Sequence, residues 1–195
     1  DCRERLVHGF VRHCRSCDWK PVFYCSHHSN REIYERAGFQ MVRIAEEARL
    51  RLAEFKLDGA RFQNLRTARN KARKNGLVFG WYGGDGAQMT DKLEKQLLDL
   101  SKDWLMRKRG GEMGFDLSSF DLQSIREKGV AVVLSPSDRL EAFATWHPYG
   151  NGRGRCLDLM RSHAEARDVM DFLILEAMQS FRDQGVEEIS FGGAP

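Results

Sequence analysis

The stretch Cys156–Pro195, CLDLMRSHAEARDVMDFLILEAMQSFRDQGVEEISFGGAP, decides the fold. The apolar run Cys156–Met160 predicts a strand carrying Asp158, with Arg161 just beyond it. A loop follows, then a helix over Asp168–Gln184 that opens on Asp168 and Asp171 and stops at Gly185. Met170, Leu173, Ala177, Met178 and Phe181 recur at helical spacing, so this stripe is core. Val186–Phe191 predicts a closing strand ending in Gly192-Gly193-Ala194-Pro195. Strand, acidic loop, helix, strand and glycine turn together form a unit whose mouth can hold a small-molecule site.

Outward from this unit, Val130–Leu134 and Leu140–Trp146 read as strands and His147–Gly152 as a loop. Leu77–Tyr82 reads as a strand, and Leu122–Lys128 as a short helix. Thr90 caps a helix with the buried stripe Leu93, Leu97, Leu100 and Trp104. Glu112–Phe115 belongs to an irregular segment placed to lie over the site. Further back, the pattern is a helix over 4–16, a strand over Val22–Ser26, and a short helix through Arg36 stopped by Gly38. Strand-like runs follow at Phe39–Ile44 and Ala48–Leu52.

This order, with Tyr34-Glu-Arg-Ala-Gly38-Phe39, resembles the closing half of the acyl-CoA N-acyltransferase (GNAT) fold. The order repeats from Leu77 onward. The expected class is therefore a mixed α/β sheet of tandem GNAT-like units with the first truncated. The expected division is 1–56 for the partial unit, 57–76 for a basic connecting helix and 77–195 for the unit with the site. The chain begins at Asp1 inside a helical pattern, so a longer parent protein is expected.

The 195 residues carry a net charge of only +3, but Arg61–Lys74 holds six basic side chains and no acidic one. Arg66, Arg69 and Arg73 share one helical face, with Lys74 adjoining. Such a run is either a solvated face or a contact for backbone phosphates. No apolar run is long enough to cross a bilayer. The five scattered cysteines fit a reducing, cytoplasmic setting rather than a disulfide framework. Cys14-x-x-Cys17 near Cys25, His27 and His28 lacks a second well-spaced ligand pair, so no metal is expected.

Phe115-Asp-Leu, Asp158-Leu-Met-Arg161, Met170-Asp-Phe-Leu173 and Gly192-Gly-Ala-Pro195, in that order, resemble the C-terminal catalytic domain of phosphatidylglycerol lysyltransferases, the multiple peptide resistance factor family. Glu46-Glu-Ala-Arg49 and Lys74-Asn-Gly-Leu77 fit the same family. The resemblance implies an aminoacyltransferase that moves lysine or alanine from aminoacyl-tRNA to a glycerol hydroxyl of phosphatidylglycerol at the membrane surface. It implies no cofactor, since the donor ester is already activated. It also implies a cytoplasmic domain joined to a membrane-embedded flippase region. Such chemistry needs a proton acceptor, a partner for the oxyanion, carboxylates for the donor's ammonium and a cation for phosphate.

Asp158 and Asp171 are the expected carboxylates, and Arg161 the phosphate or oxyanion partner or, alternatively, the ion-pair partner of Asp171. Glu112, His163 and Gly192 are expected at the substrate, and Arg66, Arg69, Arg73 and Lys74 at tRNA. His147 and His163 are the available imidazoles. In a regular strand Asp158 and Arg161 point to opposite faces, so they share a site only if the strand ends or bulges before Arg161. Two alternatives stand beside this reading. One is an acyl-CoA-dependent N-acyltransferase, which the lack of glycine in Ala164-Glu-Ala-Arg167 disfavours. The other is a non-catalytic module binding RNA or an anionic membrane.

Overall fold

The computed structural model describes residues 2–108, 119–166 and 168–194. They fall into two units, one up to Ala45 and one over Glu46–Ala194.

The first unit is built on α1 (Cys2–Ser16) and α2 (Arg31–Arg36). Asp18 in the left-handed region (φ 57°) ends α1, with the Trp19 N–H returning to the Cys14 carbonyl at 2.9 Å. Phe23 is the packing hub, its ring 5.7 Å from Phe10, 4.8 Å from Tyr34 and 5.0 Å from Phe39. The expected strands Val22–Ser26 and Phe39–Ile44 are not formed. Among the described residues neither has a neighbouring strand, and Cys25 breaks the first run with φ 53°.

The second unit contains one six-stranded mixed sheet ordered β1-β6-β5-β4-β3-β2. Its strands are β1 (Glu46–Arg51), β2 (Val78–Tyr82), β3 (Val130–Leu134), β4 (Leu140–Tyr149), β5 (Gly154–Ser162) and β6 (Glu188–Ala194). Neighbours are antiparallel except β5 and β6, which run parallel and are joined by α6 (Val169–Asp183). This is the expected GNAT-like order. The compact units divide at Ala45, whereas the sequence pattern set 1–56 apart; β1 lies with the second unit because it pairs with β6. The expected loop from His147 is strand as far as Tyr149, since His147, Pro148 and Tyr149 pair with Cys156, Arg155 and Gly154.

Alternation along the strands supplies two packed faces. On one face, Ala142, Ala144 and Trp146 of β4 meet Phe172, Leu173, Ala177 and Phe181 of α6. On the other face, Val130, Val132, Leu140 and Phe143 meet Leu93, Leu97 and Leu100 of α4 (Asp91–Arg107) and Ile125 of α5 (Leu122–Lys128). Thr90 caps α4 as expected, its hydroxyl accepting from the Leu93 N–H. The basic helix α3 (Gln63–Lys74) lies on α6, where Glu176 accepts from Arg69 at 2.7 Å and Arg73 at 2.9 Å. With its side chain only 17% exposed, that carboxylate needs its cations.

Leu173 is fully buried at the centre of the α6 interface. Leu173→Ala is expected to cost about 2–5 kcal/mol in urea unfolding. Val78→Thr, at a residue 60% exposed, is expected to stay within about 0.5 kcal/mol.

Candidate active site

The site begins with a fault in the β4–β5 ladder. Ala144 pairs with Met160 and Trp146 with Leu157, so β5 fits one extra residue opposite Thr145. This is a β-bulge, and it re-aims the side chains around it. Thr145 fills the gap: its hydroxyl donates to Asp158 Oδ2 at 3.0 Å and accepts from the Leu159 N–H at 3.1 Å. The same carboxylate oxygen lies 3.0 Å from His147 Nε2. Thr145 and His147 alternate with Ala144 and Trp146, so they share the face of Phe143 and α4. Arg161 pairs with Phe143 and reaches α4, so it occupies that face too. The bulge thus answers the question that strand spacing left open: Asp158 and Arg161 lie on one side of the sheet.

Asp158 is nearly enclosed, its side chain 10% exposed against 40% for His147. An imidazole donating Nε2–H to a carboxylate keeps Nδ1 as its basic nitrogen, and the carboxylate stabilises the imidazolium formed on proton uptake. Arg161 has a different character. It is 2% exposed and donates to the Ser101 carbonyl and hydroxyl of α4. Its guanidinium lies 5.0 Å from the Trp104 ring centroid and 5.6 Å from that of Phe120. It braces α4 against β5.

Asp171 is not brought to this cluster. It is exposed in the first turn of α6, on the other face of the sheet, and among the described residues no ion pair joins it to Arg161. Desolvation at the helix start, then the neighbouring Asp168 charge, raises its carboxyl above the usual range. His163 lies apart in a shallow cleft of about 250 Å³ with Trp104, Arg107 and Lys108. Glu112 and Phe115 lie outside the described residues. The arginines of α3 each have a partner within the chain, although Arg73 stays half exposed. Arg69 and Arg73 hold Glu176, while Arg66 donates to the Leu57 and Gly59 carbonyls at 2.7 and 2.8 Å. Lys74 ends the same helix and is exposed.

A second polar group occupies the sheet face beside Asp158. Ile189 and Leu50 pack toward α6, so their neighbours Ser190 and Arg49 point the other way. Buried Ser190 donates to Glu47 Oε1 at 2.6 Å and accepts from the Gly192 N–H at 3.1 Å. Gly192 supplies the φ of +79° that this turn-back requires. Arg49 bridges Glu47 at 2.8 Å and Glu188 at 3.5 Å, and Tyr149 donates to Glu188 at 2.6 Å. Burial, then the Glu188 hydrogen bond and charge, raises the Tyr149 hydroxyl well above its usual range, so it remains a donor. Tyr149 covers Gly154, where no Cβ would fit.

β5 and β6 pair only from Gly154–Cys156 to Glu188–Ser190. Asp158 and Gly192 each lie two residues beyond the last paired positions, where the two strands share no ladder. Asp158 and Gly192 therefore lie where β5 and β6 part, next to the buried Ser190. Sequence reading missed Thr145, Ser101, Glu47, Tyr149, Glu188 and Ser190. Only the Glu46-Glu-Ala-Arg49 motif gave a signal for any of them.

Replacing Arg161 with lysine keeps the charge but loses the planar fork. Arg161→Lys is expected to lower stability in urea by about 1–3 kcal/mol; an unchanged midpoint would show that the brace holds nothing.

The chain matches, over residues 1–195, the family described as phosphatidylglycerol lysyltransferase, C-terminal. It is 34% identical over 199 residues to an uncharacterised protein of Corynebacterium glutamicum, covering 99% of this chain and 25% of that protein. It is 25% identical over 191 residues to the phosphatidylglycerol lysyltransferase of Bacillus subtilis, covering 97% of this chain and 22% of that one. The chain thus spans about a quarter of the length of these relatives. In fold it is similar to L-PGS from Bacillus licheniformis, with a TM-score of 0.87 at 23% identity over 98% of this chain and 60% of that one. With a whole-chain family match and the expected sheet, the chain belongs to the phosphatidylglycerol lysyltransferase C-terminal family.

Proposed function

We propose that this chain is the catalytic domain of an aminoacyltransferase that moves a lysyl group from lysyl-tRNA to a hydroxyl of phosphatidylglycerol. The observation that carries the mechanism is the Thr145–Asp158–His147 cluster at the bulge, beside the open ends of β5 and β6. Family membership and the B. subtilis relative's name support the substrate class.

In this mechanism His147 Nδ1 takes the glycerol hydroxyl proton, with Asp158 stabilising the imidazolium. The hydroxyl oxygen attacks the aminoacyl ester carbonyl and gives a tetrahedral oxyanion. Collapse breaks the ester bond, and the leaving ribose hydroxyl of tRNA receives the proton back from His147. Neither a metal nor a redox partner enters the balance. On this face Asp158 lies beside His147 and the buried Arg161, and Glu47 and Glu188 hold Arg49. Lysine is preferred to alanine because the B. subtilis relative is named a lysyltransferase. Asp168 and Asp171 open α6, where a CoA pyrophosphate would need a glycine-lined cradle, which disfavours the acyl-CoA alternative.

Among the described residues no helix is long and apolar enough to cross a membrane. In this proposal the lipid is met at the membrane surface, and a membrane-embedded flippase region belongs to the remainder of a longer parent.

The test is transfer of labelled lysine from lysyl-tRNA to phosphatidylglycerol by the full-length parent. Asp158→Asn and His147→Ala are each expected to lower kcat by roughly 10²–10⁴-fold. Because they act as one unit, the double variant should fall little below the worse single one. Wild-type rates in both single variants would remove the assigned acid–base pair. No lysyl-lipid from the unaltered protein would remove the proposed reaction.

A further inference from the structure

On α3 the arginines touch Glu176 or backbone carbonyls while Arg73 and Lys74 remain exposed, and a second helix presents a longer row of cations to solvent. On α1, Arg5, His8, Arg12 and Arg15 recur at helical spacing and are all exposed. They line one open groove of about 690 Å³, closed on its other side by Arg36, Ala37 and Gly38. Among the described residues, the only carboxylate in its wall is that of Glu4, held by Arg36 at 2.8 Å. Among the same residues, no hydrogen bond or ion pair engages the side chains of Arg5, Arg12 or Arg15.

We infer that this groove is an RNA-backbone site, in which the three arginines of α1 contact successive phosphates of the donor RNA. Three features carry the assignment. The guanidinia form a row rather than a cluster: Arg5 to Arg15 spans about 15 Å along the helix axis. A row of that length fits a chain of phosphates rather than one anion. The surface is concave, which suits a ridge of sugar and phosphate better than a flat bilayer. Arginine's fork also matches phosphate oxygens, and neutralising them releases counterions. The inference rests on the proposed RNA donor and adds a contact on α1 to the basic face of α3.

The experiment measures binding of fluorescently labelled, uncharged tRNA to the full chain by polarisation across a salt series. Arg5→Ala/Arg12→Ala/Arg15→Ala is expected to weaken binding at least tenfold at low salt. The slope of log K against log salt should fall by about 2–3, at roughly 0.7–0.9 for each phosphate that is no longer neutralised. Replacing the three residues with lysine should preserve most of the affinity. Far-ultraviolet circular dichroism of each variant verifies that these surface changes leave the fold in place. Unchanged affinity and slope in the alanine variant would overturn the assignment. So would loss of binding to phosphatidylglycerol vesicles with tRNA binding intact, which would make the groove a membrane contact. Because the tRNA is uncharged, this result is independent of whether lysyl transfer occurs.

Discussion

Much of the candidate site depends on one hydroxyl. Thr145 sits opposite the extra residue of β5 and binds both products of the bulge, the Asp158 carboxylate and the Leu159 N–H. Without a bulge, strand alternation would send Asp158 and Arg161 to opposite faces. With it, Asp158 turns toward His147 on the face where Arg161 braces α4. The bulge is also where β5 leaves its parallel partner β6. A local irregularity therefore both opens the sheet and arms the opening.

Charge is distributed so that the two faces do different work. On the α6 face, Glu176 is neutralised by Arg69 and Arg73, which bind one helix to another across the core. On the opposite face, Arg49 bridges Glu47 and Glu188 across neighbouring strands. The cost of holding Asp158 nearly enclosed is met by the Thr145 and His147 hydrogen bonds. Arg161 makes its own contribution as a buried cation satisfied by Ser101 and two aromatic rings.

Most of the sheet was legible because β2, β3 and β4 are apolar runs and α6 carries a stripe at helical spacing. Thr90, Gly38 and Gly185 punctuated those elements as capping and stop chemistry dictates. The runs at Val22 and Phe39 misled because an apolar alternating segment becomes a strand only beside another strand. In the site, Asp158 and His147 could be named, but not their partnership, because it rests on a bulge that no residue type announces. Asp171 and the α3 arginines were conspicuous as charges, yet their roles turn on which face they present. Asp171 lies across the sheet from Asp158, and Arg69 turns inward to Glu176, which the half-exposed Arg73 also reaches. Ser190 and Tyr149 gave no signal because their hydroxyls matter only through strand neighbours far away in sequence.

The most direct measurement of the central claim is the transfer rate of Thr145→Val, an isosteric change that removes only the hydroxyl bridging the bulge. If that bridge positions Asp158 and His147, kcat should fall by about 10–100-fold with the lipid KM nearly unchanged. A kcat equal to that of the unaltered enzyme, with the fold intact, would contradict the account.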